Sequence, residues 1–292
     1  MLLDPQFLVI QVLNGLQLSA LLFLLAVGLS VVFGLMNFIN LAHGTLYMLG
    51  AYFAVAVAGA FDSFWAALVL APLGVAVVGA VAHVTLFRRL QSAGPMKQVL
   101  VTFGLIFVGF DVVRIVWGRL PHTVPTPETL AGSVQILGET YPTYRLFIIG
   151  VGLAVLVALH LGLDRTRLGA VVRAGVDDRT MVAALGINVE LVFFAVFCLG
   201  CWLAGLAGVV AAPVFSVFPG MDMSVLILAL IVVVLGGPGS LWGAALGALV
   251  IGMADTFGQV MFPAFASVTI YALMAAILLF KPGGLVPVRP SH

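Results

Sequence analysis

Gly34-Leu35-Met36-Asn37-Phe38-Ile39-Asn40-Leu41-Ala42-His43-Gly44 decides how this chain is read. It follows an uncharged stretch, Leu8 to Phe38, and precedes a second apolar run, so a polar, glycine-bounded break divides two hydrophobic segments. The interior of a bilayer offers no water to exposed amides. A helix is therefore interrupted at that depth only where the freed backbone faces protein or a water-filled cavity. Such a break points to transport. Asn37, Asn40 and His43 recur every third residue, so they either line a cavity or hydrogen-bond a helix terminus.

The composition sets the class. Of 292 residues, 63% are hydrophobic and 8% charged. A soluble domain of this length needs a charged surface, whereas apolar segments of about twenty residues need lipid around them. The expected fold is all-α, a polytopic transmembrane bundle of about eight or nine hydrophobic segments with broken helices. A single transmembrane domain is expected over 1–292, with a cytoplasmic loop at 164–190. A net charge of +1, with no long basic run, implies no nucleic-acid partner. The first residues lack the basic stretch of a cleavable signal, so the N-terminus is expected to be retained. Cys198 and Cys201 lie within an apolar helix and read as small packing residues rather than a redox or metal pair.

Charge gives the topology. Nine of the twelve Lys and Arg fall in three places: Arg88, Arg89 and Lys97; Arg165, Arg167, Arg173 and Arg179; Lys281 and Arg289. Short basic loops resist translocation, so these three regions are cytoplasmic and the loop from Arg119 to Tyr144 lies outside. Two spans join them, Val99 to Trp117 outward and Leu146 to Leu163 inward. Leu191 to Ala212 then leaves the cytoplasm, and an odd number of crossings precedes Lys281. Three short crossings and one crossing plus a re-entrant hairpin both satisfy the charges. The first 87 residues hold no Lys or Arg, which leaves the side of the N-terminus open.

A second break, Leu235-Gly236-Gly237-Pro238-Gly239-Ser240-Leu241-Trp242-Gly243, occupies a matching place late in the chain. Paired interruptions in the two halves of a transporter point to internal repeats and to a pathway between discontinuous helices. On that basis Asn37, Asn40, His43, Gly44, Gly236, Gly237 and Ser240 are the expected substrate pathway. Gly243 with Gly247, and Ala204 with Gly208, are small residues four apart that let helices approach closely in lipid. Charges within spans are costly and need a reason. Asp111 and Arg114, three apart, read as an ion pair near the outer interface. Asp255 and Gln259 are expected to face the bundle interior.

The most charged segment runs from Asp164 to Glu190. A short helix ending at Gly186 is expected there, with Ala174, Asp178, Met181 and Leu185 on one stripe. An acid within an apolar face suits a protein groove better than lipid headgroups, although a solvated connector on the membrane surface gives the same pattern. The chain carries no phosphate-binding loop, since Lys97 and Lys281 are followed by Gln98 and Pro282. Neither a zinc-protease helix nor a credible partner for Ser240 as a serine nucleophile is present in the sequence, so no enzymatic activity, metal or cofactor is expected.

Four ordered motifs then resemble one family over nearly the whole chain. They are Phe33 through Gly44 to Gly50-Ala51-Tyr52; Arg173-Ala174 through Leu185-Gly186-Ile187-Asn188; Val234 through Ser240 to Gly243; and Lys281-Pro282-Gly283-Gly284-Leu285. Together they look like the LivH-type permease of branched-chain amino acid ABC importers. The resemblance implies a multi-pass protein of the bacterial inner membrane. It works with a second homologous permease, cytoplasmic ATPase subunits and an extracytoplasmic substrate-binding protein. It also implies that Arg173, Ala174, Asp177, Asp178, Met181, Leu185 and Gly186 belong to a coupling helix that docks on an ATPase. Asp177-Asp178 stands where the family often has Glu-Asp, and Pro238 where many members carry another residue. Relatives also serve urea, amides or other amino acids. The alternative outside the family is an ion-coupled secondary transporter or channel for small polar solutes, motivated by Asp111 and Asp255.

Overall fold

Apolar runs with no polar face fold as helices because each backbone amide must find its partner within its own segment. The computed structural model describes residues 5–36, 40–90, 93–261 and 263–286. Among them, seven helices are long and apolar enough to cross a bilayer, and two shorter apolar helices accompany them. Helix α1 (Pro5–Met36) spans 32 residues, about 48 Å, well beyond a hydrocarbon core of about 30 Å. It is followed by α2 (His43–Phe61) and α3 (Phe64–Ala82), joined by a tight turn in which Asp62 takes φ 49° and Ser63 accepts from Ala66 N at 3.3 Å. A π turn, His83–Phe87, carries α3 into α4 (Arg88–Leu90).

Helix α5 (Pro95–Trp117) then leads to a hairpin of β1 (Ser133–Ile136) and β2 (Glu139–Pro142), turned by Leu137 and Gly138, both at positive φ. This hairpin is the one departure from the all-α expectation. Next come α6 (Thr143–Leu159), extended by a π turn to Asp164, α7 (Arg167–Asp177) and α8 (Arg179–Ala184). The chain closes with α9 (Val189–Ala211), α10 (Met221–Gly236), α11 (Leu241–Met261) and α12 (Ala266–Phe280).

At the centre of the bundle α9 packs on α1, α2 and α3, and α1 packs in turn on α11. Glycine makes those approaches possible. A Cβ on Gly200 would lie 3.1 Å from Gly28 O, one on Gly205 would press on Pro72 and Val75, and one on Gly208 would collide with Tyr47 O. Packing of this kind holds helices together where lipid removes the hydrophobic drive. Cys201 is buried against Gly79, and both cysteines are free thiols, so they pack as expected.

Both faces are identifiable. Arg88 meets Glu190 at 2.7 Å, Leu285 N donates to Leu235 O at 2.8 Å, and Leu163, Gly169, Arg173 and Gly239 line one cleft. All three basic regions therefore share one face, which the positive-inside rule makes cytoplasmic. On the other face His122 and Val217 exchange backbone hydrogen bonds at 2.8 and 2.9 Å. The start of α1 belongs to that outer face, because Arg145 donates to Asn14 Oδ1 at 2.8 Å and Gln6 lies beside Gly138 of the hairpin. The last third makes three crossings. Helix α10 runs to the cytoplasmic face, α11 returns antiparallel to α1 with Gly252 on Ser19, and α12 comes back to Lys281.

Candidate functional site

Helix α2 does not start at the membrane surface. It starts inside the bundle, where His43 Nε2 lies 3.2 Å from Leu25 O of α1. A Cβ on Gly28 would be 3.1 Å from the same nitrogen. Since Gly28 is eight residues short of Met36, α2 begins about 12 Å inside the end of α1. Helix α10 likewise begins below the outer face. It has 16 residues, about 24 Å, and Gly220 sits against the Phe110 ring, 3.3 Å from where its Cβ would be.

The two first turns touch. Thr45 Oγ1 donates to Asp222 Oδ2 at 3.1 Å, across 177 residues of sequence. Gly44 allows it, because a Cβ there would come within 2.8 Å of Asp222 O and 2.9 Å of Leu226 Cβ. Neither helix has a side-chain cap, Ala42 and Gly220 standing at the N-cap positions. Thr45 and Asp222, which meet here, and Asn40 and His43 at the start of α2 are all buried. Among the described residues Asn40 Nδ2 and Oδ1, His43 Nδ1 and Asp222 Oδ1 have no hydrogen-bond partner. Each such atom costs about 1–3 kcal/mol, and four of the seven found among the described residues belong to residues at the starts of α2 and α10, which makes these starts the candidate site. Above them Tyr52 packs on Trp117 at 5.2 Å and on His122 at 6.0 Å, an aromatic cover toward the outer face.

The expected pathway residues separate accordingly. Asn40, His43 and Gly44 come together in this site, and Asn37 lies outside the described residues. Gly236, Gly237 and Ser240 are elsewhere, in a close-packed turn at the cytoplasmic face. Ser240 Oγ caps α11 by accepting from Gly243 N at 2.9 Å, and Ser30 Oγ accepts from Gly239 N at 3.0 Å. Gly237 has φ 101° and a Cβ there would be 2.7 Å from Val286 O. The two breaks do meet, at Gly34 and Gly239, while Gly44 and the following Thr45 lie against Asp222 at the start of α10.

Two further expectations are corrected. Asp255 and Gln259 do not face the interior without partners: Gln259 Nε2 donates to Asp255 Oδ2 at 2.8 Å on an exposed face of α11. The single coupling helix is two, because Asp178 adopts φ −149° and accepts from Thr180 N and Met181 N, both at 2.9 Å, as the N-cap of α8. Ala174 on α7 thus no longer shares a helical stripe with Met181 and Leu185. Arg173 hydrogen-bonds Leu163 O, Gly186 ends the segment at φ 79°, and the side chain of Asp177 lies outside the described residues. Leu168, Met181 and Leu185 are 62–75% exposed on this face. Beside them a cleft of about 590 Å³ is lined by His83, Arg88, Ala183, Asn188, Glu190 and Phe194. The Asp111–Arg114 pair forms as expected, at 3.4 Å.

The family described as "Branched-chain amino acid transport system / permease component" matches residues 11–279. The chain belongs to this family. The permease is 29% identical to the high-affinity branched-chain amino acid transport system permease protein BraD of Pseudomonas aeruginosa, over 94% of each chain. It is 25% identical to LivH of Escherichia coli K12 over 94% of each, and 25% identical to a probable LivH of Methanocaldococcus jannaschii over 92% of this chain and 90% of that one. Among solved structures, a chain of PsaBC from Streptococcus pneumoniae in complex with Fab is similar with a TM-score of 0.48 and 16% identity, covering 91% and 89%.

With membership established, Asp111 and Asp255 lose their interest as coupling acids, each being paired on the surface. The acid that does lie inside the permease is Asp222, which the sequence signals only as an acid opening an apolar run.

Proposed function

We propose that this permease forms half of the pathway of an importer for branched-chain or similar hydrophobic amino acids, the other half coming from a second homologous permease. Substrate passes the junction of α2 and α10, along Asn40, His43 and Gly44. The observation that carries this reading is that both helices start inside the bundle around buried, unpaired polar atoms. Discontinuous helices with midplane N-termini are where transporters place small polar substrates. Movement is imposed from the cytoplasm. The α7–α8 segment, with Met181, Leu185 and Leu168 exposed, docks on a separate ATPase subunit, and Asp178 holds α8 in shape for it. An extracytoplasmic binding protein delivers substrate to the outer face and sets much of the choice among leucine, other amino acids, amides or urea.

The test is co-purification followed by transport. Detergent-solubilised permease is expected to bring an ATPase and a second permease with it, and vesicles holding the complex are expected to take up leucine only with ATP inside the leaflet that exposes the ATPase. Uptake driven by a proton or sodium gradient alone, with no ATPase bound, would refute the reading.

A further inference from the structure

Helices α6 and α9 both lie against α1 but leave a gap between them. That gap is a groove of about 620 Å³, walled on α6 by Val155 and Leu159 and on α9 by Val192 and Leu203, and closed at its cytoplasmic end by Gly169 and Val172 of α7. Its walls are aliphatic apart from Trp202, so it suits hydrocarbon rather than water. From Val192 to Leu203 the groove follows α9 for about 16 Å at 1.5 Å per residue, half of a hydrocarbon core about 30 Å thick. It begins near the cytoplasmic end of α9 and stops near the midplane. A spanning helix of another subunit needs a groove through the whole thickness, whereas one acyl chain of the inner leaflet needs this length.

Charge at the mouth narrows the choice of lipid. Arg165 and Arg167 stand in the connection between Leu163 and Leu168 of the groove wall, where Arg165 N donates to Leu161 O at 3.2 Å and the Thr166 hydroxyl caps α7 by accepting from Gly169 N at 3.2 Å. Both arginines are exposed, and the ion pairs among the described residues, Arg88–Glu190 and Arg114–Asp111, involve neither. Arg173 is exposed at the same end and donates to Leu163 O. The acid at the cytoplasmic end of α9, Glu190, is taken by Arg88, and the side chain of Asp164 lies outside the described residues. Basic pockets between spans on the cytoplasmic side attract anionic headgroups. A homologous permease would bring its own basic loops to that face and be repelled.

We propose that the groove between α6 and α9 holds an acyl chain of an anionic phospholipid from the inner leaflet, with the headgroup phosphate against Arg165 and Arg167. Because Gly169 and Val172 close the groove, the chain packs beneath α7 and steadies the segment that continues into α8. The inference requires only that the permease spans the membrane and is independent of what it carries.

The probe is phosphatidylglycerol with a photoactivatable diazirine in its acyl chain, set against phosphatidylcholine with the same label. Each is added to vesicles of unlabelled phosphatidylcholine that hold the full-length permease, purified with the subunits that accompany it, and the labelled peptides are mapped. The α6 and α9 peptides around Val155 and Val196 are expected to take up about fivefold more label from phosphatidylglycerol, the effect of about one arginine at the membrane surface. The exposed face of α5 around Phe103 and Phe107 is expected to label equally with both lipids. Arg165→Gln combined with Arg167→Gln is expected to remove the preference at the groove. Ala158→Trp and Ala195→Trp fill the groove from opposite walls and are each expected to remove its labelling while α5 stays labelled, one serving if the other does not fold. Equal labelling of the groove by the two lipids would mean that any lipid fills it, and a silent groove beside a labelled α5 would mean that protein covers it. Either result overturns the inference, as does a preference that survives the loss of both arginines.

Discussion

The two interruptions, 34–44 and 235–243, read alike in sequence and do opposite things in the structure. The first leads into an α2 that starts inside the bundle, where Asn40 Nδ2 and Oδ1 and His43 Nδ1 are buried and unpaired. The second is tied into the protein by hydrogen bonds: Ser240 caps α11, Ser30 holds Gly239, and the 284–286 segment pairs with Leu235 and Gly236. Glycine content alone therefore does not tell the two breaks apart. What separates the two, among the described residues, is that unpaired buried side-chain atoms lie at the first break, on Asn40 and His43, and not at the second.

That contrast can be broken by substitution. The largest effect is expected at the second break, where Gly236→Leu would drive a side chain into the Gly243 backbone, a close approach with no room to relax. Overpacking of this kind costs about 1–3 kcal/mol or more, and folded permease recovered from membranes should fall sharply, with uptake per folded molecule unchanged. At the first break His43→Leu keeps roughly the volume and removes both the unpaired Nδ1 and the long contact of Nε2 with Leu25 O, whose carbonyl stays within α1. Its melting midpoint is expected to hold while leucine uptake drops by about tenfold or more, the loss of about 1.4 kcal/mol or more of substrate contact. Equal losses of stability and uptake at both breaks would erase the distinction.

Smaller effects sharpen it on the cytoplasmic side. Asp178→Ala removes the α8 cap, worth about 0.5–2 kcal/mol locally, and should lower leucine-stimulated ATP hydrolysis several-fold, whereas Asp178→Asn keeps the cap and most of the activity. Both variants falling equally would mean that the charge, not the cap, meets the ATPase. Arg88→Ala breaks an exposed ion pair worth about 0–1 kcal/mol, and neither melting nor uptake should change measurably.

The spans and the cytoplasmic face were legible because long apolar runs and clustered Arg and Lys act through simple, additive rules. Asn40, His43 and Gly44 were legible as a polar break. Asp222 was not, because its partner Thr45 lies 177 positions away and a lone acid at the head of an apolar run has no spacing to betray it. The split between α7 and α8 did carry a signal: Asp178 followed by Arg179-Thr180-Met181 is an N-cap pattern, and reading it as part of one stripe ignored the competition between a side-chain cap and helix continuation. The hairpin at Leu137-Gly138 was hidden by its shortness, two four-residue strands on a loop.

The most direct measurement is thiol labelling during turnover, in a permease whose Cys198 and Cys201 are replaced by Ala and which carries either Asn40→Cys or Ser240→Cys. With ATP and binding protein present, the thiol at position 40 is expected to react with a small polar reagent only while the complex cycles, and leucine is expected to slow that reaction. The thiol at position 240 is expected to react at the same rate with or without cycling. A silent position 40 beside a leucine-protected, cycling-dependent position 240 would contradict the account and move the pathway to the other break.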